Sequence, residues 1–226
     1  MSPSGAATSG SARSCRRPLC RLAVAAAAAL AAAPSHAAPA CESPAVVAKL
    51  TDAKLSKAIG QYDRTIQIAD EVLRASPNSA LAKYIKGLAL IQQSKGNRDV
   101  YRQGLSLLAD TADRLPDYDK LPPEQKQCPE NERLYTIFNT VGYYYSEDGD
   151  RKAAEKYLLR AEKNAAPLSK ASLWKLYDNL GLFYANNLDL DKAAKYYERA
   201  KMGGSPEASK RLDTIRAIQR LGAPPK

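Results

Sequence analysis

The strongest constraint on this chain is that it repeats itself. Phe138-x-x-Val141-Gly142-x-x-Tyr145-x-x-x-Gly149, followed by Ala154, Leu158 and Ala161, recurs as Tyr177-x-x-Leu180-Gly181-x-x-Tyr184-x-x-x-Leu188, followed by Ala193, Tyr197 and Ala200. Every position returns 39 residues later. Within each copy a large residue, a Val/Leu-Gly pair and a tyrosine fall three or four residues apart, which is one face of a helix. A small, a large and a small residue then mark the face of a second helix. The glycines are expected where the two helices of a pair approach, and the tyrosines are expected to fill the space between pairs. Two helices alone cannot bury such faces, so the pattern predicts copies stacked side by side.

Earlier parts of the chain carry the same register. Thr65, Ala69, Val72 and Pro77 match a second helix, and Tyr62-Asp63 stands at the turn into it. Gly87 and Leu90 match a first helix, followed by Gly104, Leu108, Thr111 and Pro116 for its partner. Ser43 and Pro44 make a good helix start, although no Gly-Tyr pair follows before Ile59. These residues resemble the tetratricopeptide repeat family over roughly 45–202. The resemblance implies an all-α solenoid with helix pairs over about 44–77, 80–116, 134–166 and 173–203.

In that family the first helices line a concave groove that holds peptide segments of partners. Carried over, the resemblance places Leu81, Tyr84, Leu88 and Ile91 toward the groove, then Asn139, Tyr143 and Glu147, then Lys175, Asp178, Asn179, Leu182 and Asn186. Tyr84 and Tyr143 would offer broad contact at low entropy cost, and Asn139 and Asn179 could bond both donors and acceptors of an extended backbone. Some relatives grip a C-terminal carboxylate with a Lys, Asn and Arg clamp. Lys175 and Asn179 match two of its positions, but Asn139 and Tyr143 stand where it calls for Lys and Asn, and Asp178 adds a negative charge.

The first 37 residues are expected to be a cleaved export signal, with the boundary at 37–40 and a linker over 38–43. Arg13, Arg16, Arg17 and Arg21 precede the apolar run Leu22–Ala33, then comes Pro34, and small residues flank Ala37 and Ala40. Twelve helical residues reach only about 18 Å, too short for a hydrocarbon layer of about 30 Å, so a permanent membrane span is not expected. The periplasm is the expected destination. Secretion and lipid anchoring through Cys41 are the alternatives, and Ala38 stands where a lipobox has Leu.

Cleavage changes the chemistry on offer. The whole chain has 34 basic and 24 acidic residues, and removing four arginines leaves a mild positive excess with no nucleic-acid stripe. The single histidine, His36, leaves with the signal. Serine or cysteine nucleophiles served by His, and His-ligated metals, are thereby excluded from the mature chain. Cys41 and Cys128 remain, too few for a four-cysteine zinc site, and in an oxidising compartment they either bridge or stay free. No cofactor, metal or catalytic residue is expected.

Pro122, Pro123 and Pro129 break the pattern, so 117–130 reads as an extended loop insertion that either anchors Cys41 through Cys128 or acts as a joint. Ser205-Pro206-Glu207 opens a capping helix over 206–221, with Ala208, Leu212, Ile215 and Leu221 along one side and Lys210, Arg211, Arg216 and Arg220 elsewhere. The domain thus runs 44–222. Its expected work is that of an exported scaffold binding a partner protein or peptide, not an enzyme. A small-molecule or glycan-binding groove, an enzyme using it, and a self-associating module are the alternatives.

Overall fold

Short polar residues start helices along the chain. In the computed structural model, which describes residues 41–128, 134–165 and 173–222, Ser43 accepts the Val46 N–H at 3.3 Å. Pro44 supplies the fixed φ of a first helical residue, and α1 runs Pro44–Ala58. Gly60, at φ 78°, turns the chain into α2 (Tyr62–Ala75). Ser79 caps α3 (Ala80–Gln93) and Asn97 caps α4 (Arg98–Arg114). A 3-10 turn (Tyr118–Lys120) and the one-turn α5 (Pro123–Lys126) precede α6 (Leu134–Asp148). Asp150 caps α7 (Arg151–Lys163), α8 covers Trp174–Asn186, and Asp189 caps α9 (Leu190–Met202). The last helix is α10 (Ala208–Gly222). The chain is all-α, with no strand among the described residues. The expected export signal, Pro129 and most of the connection between α7 and α8 lie outside them.

Helices pack on their neighbours in the chain, α1 on α2, α3 on α4, α6 on α7, α8 on α9 and α10 on α9. First helices also meet, α1 with α3 and α6 with α8. The pairs close where glycine permits it. A Cβ on Gly142 would stand 2.7 Å from Leu158 Cγ, and one on Gly181 would stand 2.6 Å from a ring carbon of Tyr197. Leu50, Ala53, Val72, Ala82 and Ile85 form a small core between the first two pairs. A larger one continues from Leu88 to Ile215, and Tyr84 packs against both.

The 39-residue spacing extends to residues not singled out in the sequence. The Arg160 guanidinium lies 4.1 Å from the centroid of the Phe138 ring, and Arg199 lies 3.9 Å from that of Tyr177. Each arginine also reaches back to the preceding pair. Arg160 donates to Asp117 Oδ1 and to the Ala112 carbonyl, both at 2.8 Å, and Arg199 pairs with Glu162. Tyr145 stacks on Tyr157 at 5.6 Å, and Tyr184 stacks on Tyr196 at 5.5 Å.

Two expectations change. Segment 117–128 is docked rather than extended, with Leu121 and Cys128 buried, because Pro123 suits the first position of a short helix even as it ends a longer one. Asn164 donates to Asp117 and accepts the Tyr118 N–H at 2.6 Å, holding the segment's start, and a disulfide joins Cys128 to Cys41 with the Cα atoms 5.3 Å apart. In α10, Ala208, Leu212 and Ile215 are buried, but Leu221 is 88% exposed, so the covered face ends before it. Arg211 of the same helix pairs with Asp178 of α8.

Candidate functional site

Side chains on α3, α6 and α8 meet across the gaps between these first helices. The Asn179 amide donates to Asn139 Oδ1 at 3.1 Å, joining α8 to α6, and the Tyr84 hydroxyl bonds the Thr140 hydroxyl at 3.0 Å, joining α3 to α6. The three helices therefore contribute to one wall. What that wall leaves open differs along its length.

Packing takes most of the α3 part. Leu88 and Ile91 are 8% and 6% exposed within the larger core. Leu81 packs against the smaller core. Tyr84 is spent on Thr140, and burial pushes its hydroxyl's pKa up. The apolar end of the expected groove is thus largely interior.

On α6 and α8 more remains accessible. Asn139 and Asn179 are half-buried and spend one bond on each other. Tyr143 is half-buried, its ring 5.3 Å from that of Tyr144, and one turn further Glu147 is exposed. Burial raises the Tyr143 pKa, with the Glu147 charge adding to it. Lys175 is exposed with its ammonium 5.4 Å from the centroid of the Trp174 ring, Leu182 is half-buried, and Asn186 is exposed. Asp178 is held otherwise. One carboxylate oxygen pairs with Arg211, while the other, Oδ1, is buried with no hydrogen-bond partner among the described residues.

This arrangement departs from a carboxylate clamp. Asn179 is engaged by Asn139, and Asp178 takes Arg211 of the capping helix α10 as its partner. Among the described residues no group of three or more His, Cys, Asp or Glu could hold a metal, and no helix is long and apolar enough to cross a membrane. What the wall can do chemically is offer amide, phenol, carboxylate and ammonium groups to a polar chain laid across it.

One aromatic group here escaped the sequence reading. Tyr101 of α4 sits 6.4 Å from Tyr144 in an edge-on arrangement at 79°, and its hydroxyl donates to the Tyr144 carbonyl at 3.1 Å. Burial pushes the Tyr101 hydroxyl up to about 12, with Asp148 and Glu147 adding to it. The sequence signal was the run Tyr143-Tyr144-Tyr145, of which only Tyr145 belongs to the repeat. Comparison with protein-family models and with curated proteins returns no match.

Proposed function

We propose that this chain is an exported scaffold of the tetratricopeptide repeat type that holds a partner protein or peptide along the wall formed by α3, α6 and α8. The observation that carries the reading is the bond between Asn179 and Asn139 across two neighbouring first helices, beside the partly open Tyr143. Asparagine amides in such a row can exchange a bond to each other for bonds to an extended backbone, and a tyrosine ring adds contact area at little entropic cost. The contact set is then Asn139, Tyr143, Lys175, Asn179 and Leu182. Tyr84, Leu88 and Asp178 serve it by fixing the wall. The basic and apolar start of the chain, together with the Cys41–Cys128 bridge, favours the periplasm as its place of work. No catalytic group is assigned.

A photoreactive residue at Lys175 tests this in whole cells, with one at Lys195 of α9 as control; both positions are exposed. A discrete protein adduct from position 175, absent from 195 and weakened by Tyr143→Ala, is expected. Equal adducts from both positions, or none from 175, overturn the reading. The mass of the mature N-terminus separately tests cleavage near Ala37.

A further inference from the structure

The aromatic rings of this protein divide into two kinds. Tyr118, Phe138, Tyr157, Trp174, Tyr177, Tyr184, Tyr196 and Tyr197 each have a lysine or arginine of this chain over the ring, at 3.9–6.0 Å from the centroid. Among the described residues no such cation lies over the rings of Tyr84, Tyr135, Tyr145 and Phe183, nor over those of Tyr101, Tyr143 and Tyr144, which stand together at the edge of the larger core. Tyr101 and Tyr143 flank Tyr144 at 6.4 and 5.3 Å, with interplanar angles of 79° and 69°, so both stand steeply to the central ring. The bond from Tyr101 to the Tyr144 carbonyl fixes one flank.

Negative charge accompanies these rings. On α6, Glu147 follows Tyr143 by one turn and Asp148 follows Tyr144 by one turn, which puts each carboxylate on the same side as its ring. Both carboxylates are close enough to disfavour ionisation of Tyr101. Glu147 is exposed and has no ion pair among the described residues. Among the described residues Asp148 pairs only with Arg98, at 3.9 Å and itself largely exposed. Ring faces carry partial negative charge and attract cations, more strongly where water is partly excluded.

We infer that Tyr101, Tyr143 and Tyr144, with Glu147 and Asp148, form a subsite that takes a basic side chain, arginine or lysine, of the bound polypeptide. An arginine suits it best, since its guanidinium can stack on a ring while bonding a carboxylate. The inference rests on the proposed peptide-holding wall and gives its partner a chemistry, that of an extended segment with a basic residue placed near α6.

The test uses purified protein and two synthetic peptides, acetyl-Gly-Ser-Gly-Arg-Gly-Ser-Gly-amide and the same peptide with Gln replacing Arg, titrated while the tyrosine ring resonances are followed by NMR. The Arg peptide should shift the Tyr101, Tyr143 and Tyr144 signals saturably, and bind about fivefold or more tighter than the Gln peptide. Glu147→Gln, at an exposed position, should weaken Arg binding about threefold or more, while Asp213→Asn on α10 leaves it unchanged. Equal shifts by both peptides, no shifts, or binding indifferent to Glu147→Gln would overturn the subsite. Failure here with a position-specific adduct from Lys175 removes the subsite alone. Arg-selective shifts without that adduct leave the cation subsite standing and remove the wider wall.

Discussion

Replacing Gly142 by alanine sets two effects against each other, and the structure says which wins. Alanine gains about 0.8–1.0 kcal/mol over glycine in a helix interior, so on propensity alone Gly142→Ala should stabilise α6. Its Cβ, however, would lie 2.7 Å from Leu158 Cγ, 2.9 Å from Leu158 N and 3.0 Å from Leu158 Cδ2. Carbon atoms in good contact sit about 3.5–4.0 Å apart, so the deficit toward the leucine side chain is on the order of 1 Å. Leu158 is fully buried and cannot swing into solvent, and its backbone N cannot move without α7. Overpacking of this kind costs about 1–3 kcal/mol, and contact with backbone puts it in the upper part of that range. The net expectation is a loss of about 1–2 kcal/mol after the propensity gain. Urea unfolding followed by helical circular dichroism reads it as a lowered midpoint at unchanged slope. The same substitution made in a Leu158→Ala background separates the cause, because Cγ and Cδ2 are then gone and Gly142→Ala should cost distinctly less, only the contact with the backbone N of residue 158 remaining. A stabilised single variant, or an equal cost in both backgrounds, would refute the close-approach reasoning.

Two further outcomes follow from the ties between helix pairs. Hydrogen bonds from Lys163, Arg160 and Asn164 hold the Asp117 carboxyl well below the ordinary carboxylate range despite its burial. Its contribution is therefore present above about pH 4 and lost as the pH falls through its folded value, so Asp117→Asn should cost about 1–2 kcal/mol at pH 7. The gap between variant and parent in unfolding midpoint should close in acid, and a gap that is constant down to the acid limit would count against the network. Cys41 and Cys128 enclose a sequence separation of 87 residues, for which loop closure sets a ceiling of about 4–5 kcal/mol. Cys41→Ser with Cys128→Ser should lower the unfolding midpoint under non-reducing conditions, and an unmoved midpoint would show that the docked 117–128 segment holds the N-terminus without the bridge.

The helical character of the chain was readable from the helical apolar spacing of α2–α4 and α6–α9, whereas the one-turn α5 carries no such spacing. Gly142 and Gly181 were readable too, since a missing side chain in the middle of a helix face has few uses other than close approach. The turn between the paired helices shows where spacing stops being a guide. Gly149 takes φ 85° there with no strain, while Leu188, 39 residues later, takes φ 63° in the same role and is 83% exposed. A left-handed leucine gives no turn signal in sequence, and it is tolerated because the Asp189 N–H to Tyr184 carbonyl bond repeats that of Asp150 to Tyr145.

The candidate site was harder to read for a related reason. A periodic pattern says which residues share a face, but not what covers that face once the pairs have stacked. Asn139 and Asp178 occupy equivalent positions 39 residues apart, and by repeat logic both should look the same way. Asn139 has another helix pair after it and bonds Asn179 of α8, whereas Asp178 has only the cap after it and is taken by Arg211 of α10. Leu88 is lost to the core on the same principle, since the packing of α4 on α3, in a core that α6 shares, turns an expected contact into interior. Equivalence in sequence is thus broken by place in the stack, and binding surface survives only where no following element covers it. The stretch of α6 around Tyr143 and Glu147 meets that condition, with a carboxylate still unpaired among the described residues, which is why a partner's basic side chain is sought there and not at Asp178.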